Sequence, residues 1–265
     1  MEVSLIQTDV FYKDKAKNLE WVAEVLVSCE RVGDIVVLPE LFSTGYIFES
    51  PSDIQALCER YDTSPTISAL SRLAAKYSTT IVAGVAEEHK GQFFNSVAVI
   101  DGKGLIGKYR KVTQTNIDKQ YFSRGDTLFT FEHQGVTFGI AVCFDLWFPE
   151  LIREYSKLGV EVLLHPANFG GEQSLHISKA RAIESSLYIV TCNRIGCDVT
   201  TDIVGEYCGK SQICAPSGEL LVQFGSEAEI KTVKIAVDPS ARKKVIGVDL
   251  IAEMSAVSHQ LALSK

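Results

Sequence analysis

The sequence predicts an α/β fold in which an inner sheet is covered by helices. Three observations carry this prediction. A strand, an amphipathic helix and a second strand follow one another within the first forty residues, and such a unit lays its helix across the sheet. Short continuous apolar runs, such as Ile35-Val36-Val37-Leu38 and Val160-Glu161-Val162-Leu163-Leu164, have little or no polar face, as strands buried on both sides do. Between such runs lie stretches with apolar residues three and four apart, the spacing of a helix with one buried face.

Residues 2–8 alternate and read as the first strand. From 15 to 32 the apolar positions Ala16, Leu19, Val22, Ala23, Val25, Leu26 and Cys29 mark a helix, which Gly33-Asp34 closes. The second strand, 35–38, runs into Pro39-Glu40. Ser64-Pro65 opens another helix, with Ile67, Leu70, Leu73 and Ala74 along one face. Strands at 79–85 and 95–100 are linked by a polar loop around His89-Lys90-Gly91. Asp101-Gly102-Lys103-Gly104 has the composition of a hairpin turn, and 105–109 continues the sheet to Arg110-Lys111. Residues 113–125 read as irregular and polar. Strands resume at 128–131 and 136–143. Pro149 suits a helix start because it lacks a backbone donor, and Gly159 suits the stop. A strand at 160–164, a helix at 172–185 and a strand at 187–192 repeat the alternation. Residues 211–236 read as further strands joined by Pro216-Ser217-Gly218, and the tail from Pro239 is mixed. No linker or low-complexity segment divides the chain, so residues 1–265 are expected to form a single domain.

The composition is 46% hydrophobic and 22% charged, with net charge −7. It offers no basic face, which argues against a nucleic-acid or anionic-membrane partner. No apolar run approaches the roughly 20 residues of a membrane span, and the N-terminus does not read as a signal peptide. Seven cysteines, odd in number and without a C-x-x-C pair, argue against a disulfide framework or zinc site and for a reducing cytoplasm. The five histidines lack metal-ligand spacing, and His165, closing a strand, reads as structural. Gly205-Glu206-Tyr207-Cys208-Gly209-Lys210-Ser211 has one residue too few between its glycines for a phosphate loop.

Three strand exits carry Glu40, Lys111 and Cys143. Taken singly, each has a bland reading, a packed thiol or a solvated strand end. Together they supply what a cysteine nucleophile needs. A thiol of pKa about 8.5 leaves only a few per cent thiolate at neutral pH, so it requires a base. A cation and a donor for the oxyanion assist it.

Longer stretches around these residues carry a family resemblance. Val37-Leu38-Pro39-Glu40-Leu41-Phe42-Ser43-Thr44-Gly45-Tyr46 resembles the glutamate motif of the nitrilase superfamily of carbon-nitrogen hydrolases. Gly107-Lys108-Tyr109-Arg110-Lys111 is similar to its lysine motif, and Ala141-Val142-Cys143-Phe144-Asp145-Leu146-Trp147-Phe148-Pro149-Glu150 to its cysteine motif. The three stand in the family's order. Similarity at Leu164-His165-Pro166-Ala167-Asn168, Arg181-Ala182-Ile183-Glu184 and Asn193-Arg194-Ile195-Gly196 extends it over nearly the whole chain, weakest after Pro239.

The resemblance implies a four-layer α-β-β-α sandwich and a Glu-Lys-Cys mechanism without metal or cofactor. Carried over, Glu40 is the general base, Cys143 the nucleophile, and Lys111 with the backbone N–H of Phe144 the oxyanion donors. Phe144, Trp147 and Asn168 are the candidate substrate-binding positions. Asp118 stands where the family often carries a second glutamate. It is one methylene shorter, so a bridging water is expected between it and Lys111 or the leaving nitrogen; the alternative is a loop carboxylate with no role. Thr113 replaces a histidine often found there. Trp147 replaces an arginine of many amidase-like members, which favours a small or uncharged substrate unless Trp147 is a packing residue. The expected substrate is a small linear amide or ω-amide, hydrolysed through a thioester on Cys143. The alternatives are a small aliphatic nitrile, then an N-carbamoyl amino acid, or a catalytically silent binding subunit. A homodimer or larger even assembly is expected by the same resemblance.

Overall fold

Chain order builds two sheets in succession. In the computed structural model, which describes residues 1–238 and 244–263, β1 (Glu2–Gln7), β2 (Ile35–Val37) and β3 (Thr80–His89) run parallel. Helix α1 (Lys15–Ser28) joins the first two; α2 (Pro51–Gln55) and α3 (Pro65–Tyr77) precede the third. Strands β4 (Gln92–Asp101) and β5 (Gly104–Arg110) continue antiparallel. A short helix, α4 (Asp118–Tyr121), leads to the second sheet. Its strands are β6 (Thr130–His133), β7 (Val136–Ile140), β8 (Val162–Pro166) and β9 (Tyr188–Cys192). Helices α5 (Pro149–Lys157) and α6 (Gln173–Ser185) intervene between the last three, which are parallel. A two-stranded hairpin of β10 (Ile195–Val199) and β11 (Val204–Cys208) stands apart. Strands β12 (Gln212–Cys214) and β13 (Leu220–Gln223) complete the second sheet, and β14 (Glu229–Lys234) returns to pair with β1. The sheet orders are therefore β14-β1-β2-β3-β4-β5 and β13-β12-β9-β8-β7-β6. After residue 243 the chain makes a two-residue ladder and α7 (Leu250–Leu263).

Strand alternation assigns the layers, because successive side chains point to opposite faces. Val3 and Leu5 join Val37, Val82 and Val97 in one cluster with Phe138, Ile140, Leu164 and Val190 of the second sheet. Ile6, Val36 and Ile81 face the other way, onto Val22 and Leu26 of α1 and Leu70 and Ala74 of α3. The second sheet mirrors this, placing Leu163 and Ile189 against Ile152 and Tyr155 of α5 and Ala182 of α6. The result is the α-β-β-α sandwich.

Several boundaries differ from expectation. Helix α1 stops at Ser28 rather than at 32, because Cys29 is extended (φ −76°, ψ 124°). Beyond it, Arg31 pairs with Glu2 and its carbonyl accepts from Thr232 Oγ1 at 2.7 Å, long-range contacts that outweigh helical periodicity. The loop expected at 89–91 is a tight turn between ten-residue strands, with Lys90 and Gly91 both at positive φ, as short hairpins require. The polar stretch 113–125 contains α4, and the β10–β11 hairpin had no strand signal over its first half. Of the tail, residues 239–243 lie outside the described part. No helix among the described residues is long and apolar enough to cross a membrane.

Candidate active site

Glu40 is delivered by the turn that follows β2. Leu38 N–H still bonds Val82 O at 2.8 Å, and Phe42 N–H bonds Gly84 O at 3.0 Å, so the turn lies directly on β3. Gly84 makes that possible: a Cβ there would sit 2.4 Å from Leu41 N and 2.5 Å from Glu40 Cα. The Glu40 side chain enters a wholly buried position. Lys111 follows β5, anchored by its N–H to Asn95 O at 2.9 Å, and is 2% exposed.

The Lys111 ammonium lies between two carboxylates, 2.9 Å from Glu40 Oε1 and 2.8 Å from Asp118 Oδ2. Asp118 thus reaches Lys111 directly, without the expected bridging water. The missing methylene is made up by α4, which carries the carboxylate inward. Asn95 Nδ2 spans the two acids, 2.7 Å from Glu40 Oε1 and 3.2 Å from Asp118 Oδ1.

The two carboxylates are not equivalent. Asp118 Oδ2 also accepts the N–H and hydroxyl of Thr115, each at 2.9 Å. Burial alone raises its pKa, but the Lys111 charge and these hydrogen bonds outweigh burial and hold it below the ordinary value. Glu40 takes both of its bonds on Oε1, while Oε2 is buried without a protein partner. Burial raises the Glu40 pKa, the Asp118 charge adds to this, and Lys111 compensates only in part. Burial likewise opposes the Lys111 charge, but Glu40, then Tyr46 and Asp118, hold the ammonium well above its ordinary pKa. Around one ammonium, then, Asp118 is the acid held more firmly as an anion, and Glu40 the one whose proton affinity is raised.

Cys143 opens a 3-10 turn, Cys143–Trp147, beyond the end of β7. It is half-buried and has φ +44°, a left-handed backbone that costs a non-glycine residue about 1–2 kcal/mol. Asp145 and His165 hold it there. Asp145 Oδ2 accepts Val142 N–H at 2.9 Å and the Tyr109 hydroxyl at 2.8 Å, and Oδ1 accepts the N–H and hydroxyl of Thr113 at 2.9 and 2.8 Å. His165 Nε2 lies 3.0 Å from Cys143 O, and Nδ1 lies 3.0 Å from Thr191 Oγ1. The thiol itself donates to Asn168 O at 3.7 Å. Burial, then the Glu40 charge, keep its pKa well above the ordinary value against the pull of Lys111. The Cys143 sulfur therefore rests as a protonated thiol.

His165 is a positioning group here, as its strand-end place suggested. Burial depresses its pKa from 6.5 to about 4. The unfolded chain therefore binds a proton that the folded one refuses between those values, and stability falls as pH drops through that window. The contribution is about 3 kcal/mol. Urea unfolding at pH 7 and pH 4.5 should show this loss in the wild type and a smaller one in His165→Gln. Equal losses would mean that another group is titrating.

The structure brings Glu40, Lys111 and Asp118 into direct contact and places Cys143 within their field. Asn168 meets the thiol through its backbone. Its side-chain Nδ2 and Oδ1 are both buried without protein partners. Phe144 and Trp147 lie on the outer side of the turn, with ring centroids 6.3 Å apart and Trp147 42% exposed. Sequence reasoning passed over Asn95, Asp145 and Tyr46, whose ring lies 5.5 Å from Lys111 Nζ. The available signal was a polar residue inside an apolar strand for Asn95 and a carboxylate inside an apolar run for Asp145. A wide surface cleft lined by Ser156, Tyr188, Val237 and Ile251 contains none of these groups.

Residues 2–245 match the family model described as carbon-nitrogen hydrolase. A nitrilase of Pyrococcus abyssi is 32% identical over 231 residues, covering 86% of this chain and 86% of its own. A 2-oxoglutaramate amidase of Bacillus subtilis is 30% identical over 246 residues, covering 90% of this chain and 92% of its own. A mutant of the amidase from Nesterenkonia sp. AN1, with acrylamide added at its active site cysteine, superposes with TM-score 0.83 at 22% identity over 98% of both chains. That likeness concerns the fold; the family model and the relatives speak to the sequence itself. The chain belongs to the carbon-nitrogen hydrolase family.

Proposed function

We propose that this enzyme hydrolyses a small linear amide or ω-amide through a thioester on Cys143. The observation that carries the reading is the unequal pair of acids around Lys111, which leaves Glu40 Oε2 without a protein partner beside a protonated thiol. Glu40 takes the thiol proton as Sγ bonds to the carbonyl carbon. Lys111 and the N–H of Phe144 hold the resulting oxyanion. An ammonium has three donors; two go to Glu40 and Asp118, leaving one for substrate. Collapse of the adduct breaks the C–N bond, with the proton passing from Glu40 to the departing nitrogen. Water then gives Glu40 a proton, attacks the thioester and releases the acid; the proton returns to sulfur.

Glu40, Lys111 and Asp118 are each at most 2% exposed, which favours a small substrate. The unpartnered side-chain amide of Asn168 is a donor–acceptor pair suited to a second polar group on it. Trp147 and Phe144 bound the outer side. A nitrile is the second reading, favoured by the Pyrococcus abyssi nitrilase among the relatives. Ammonia release from a panel of amides, nitriles and carbamoyl compounds separates these readings, and silence on all of them rejects the enzyme assignment to this site. Asp118→Ala should lower turnover at least about tenfold with the fold intact, because it frees Lys111 to swing; unchanged turnover makes Asp118 a bystander. We also infer a reducing cytoplasm as the setting. A homodimer or larger even assembly through the helices flanking Cys143, where Phe148, Leu158 and Ile183 are 38%, 57% and 40% exposed, is part of the same reading, and light scattering tests it.

A further inference from the structure

We infer that Arg194 and Asp198 form a positioning pair for this site, acting through Tyr46. The inference rests on the roles given above to Glu40, Lys111 and Cys143. Arg194, just before β10, and Asp198, within it, are both fully buried, with Nη1 2.9 Å from Oδ1. A buried ion pair is weak evidence for stability, since desolvation offsets much of its attraction. What the pair holds is more informative.

Asp198 Oδ2 accepts the backbone N–H groups of Tyr46 at 2.8 Å and Ile47 at 3.1 Å, and the Tyr207 hydroxyl at 2.9 Å. Both N–H groups belong to the loop that leads away from Glu40. Gly45, at φ +91°, precedes them, and a Cβ there would stand 3.2 Å from Asp198 Oδ1, so the loop is seated on the carboxylate. The Arg194 guanidinium stacks on the Tyr207 ring at 4.3 Å, fixing the acid from a second side.

Tyr46 carries that placement into the site. Its ring stands 5.5 Å from Lys111 Nζ. Its hydroxyl is 2.6 Å from Thr115 Oγ1, the same hydroxyl that lies 2.9 Å from Asp118 Oδ2. Tyr46 therefore touches both the ammonium and the support of its anchoring acid. Asn193, next to Arg194, clamps the Phe169 peptide at 3.0 Å through both its N–H and its carbonyl, beside the Asn168 carbonyl that accepts the thiol. One short segment after β9 thus braces the ammonium side and the thiol side together.

A positioning role predicts a loss in kcat rather than KM. Tyr46→Phe keeps the ring and removes only the hydroxyl; kcat per alkylatable Cys143 should fall on the order of tenfold to a hundredfold, with KM little changed. Asp198→Asn should produce a loss of the same kind. The double variant should lose no more than the worse single one, since coupled residues are not additive. If Asp198→Asn does not fold, Tyr207→Phe, which removes one bond from Asp198 and keeps the ring against Arg194, takes its place in the cycle. Wild-type kcat in Tyr46→Phe, or losses that multiply, overturn the inference. A wild-type protein that turns over no amide or nitrile rejects the underlying reading instead.

Discussion

Cys143→Ala should abolish ammonia release and leave the fold standing. The expected loss is about 10⁴- to 10⁶-fold, the scale seen when a nucleophile that works as part of a unit is removed. Stability should change by no more than about 1 kcal/mol, as expected where no tight contact is lost. The thiol makes a single long hydrogen bond, 3.7 Å to Asn168 O. The backbone supplies an internal control. At φ +44°, alanine keeps the left-handed strain and glycine relieves it, so Cys143→Gly should be more stable than Cys143→Ala by about 1 kcal/mol in urea melts. Turnover retained in either variant would move the nucleophile elsewhere.

Lys111→Met should cost both stability and turnover. The side chain is 2% exposed and its ammonium touches two buried carboxylates. Removing it leaves like charges facing each other across Asn95, and breaking a buried pair in this way costs about 3–5 kcal/mol. Losing the proposed oxyanion donor should lower kcat about a hundred- to a thousandfold. The double variant Lys111→Met/Asp118→Asn separates the two effects. It removes one of the facing charges, so stability should return in part while turnover stays low. Recovery of turnover along with stability would mean that Lys111 serves the fold alone.

How much of this was legible depended on the range of the interactions. Glu40, Lys111 and Cys143 stand at strand exits, and long local motifs surround them, so the sequence displays them. The sandwich was legible through family resemblance rather than periodicity, which showed only a sheet covered by helices. Asp118 was legible as a position but not as a contact. Its distance to Lys111 is set by α4, inside a stretch that reads as irregular. Asn95 and Tyr46 were hidden as contacts because their partners lie 55 and 69 residues away; a polar residue in an apolar strand signals that Asn95 is unusual but not what it meets. The same applies to Asp198, whose bond to the Tyr46 N–H spans 152 residues. The early end of α1 has a similar origin in the contacts of Arg31 with Glu2 and Thr232.

The proposed thioester on Cys143 can be trapped and read by mass. Wild-type protein is mixed with small amides and nitriles, quenched in acid within the first turnovers, and its mass and peptide map are read. An acyl group is expected on the peptide carrying Cys143, absent from Cys143→Ala, with ammonia released in step with it from the amides. Ammonia release with no acyl group on Cys143, or an acyl group on another residue, would contradict it.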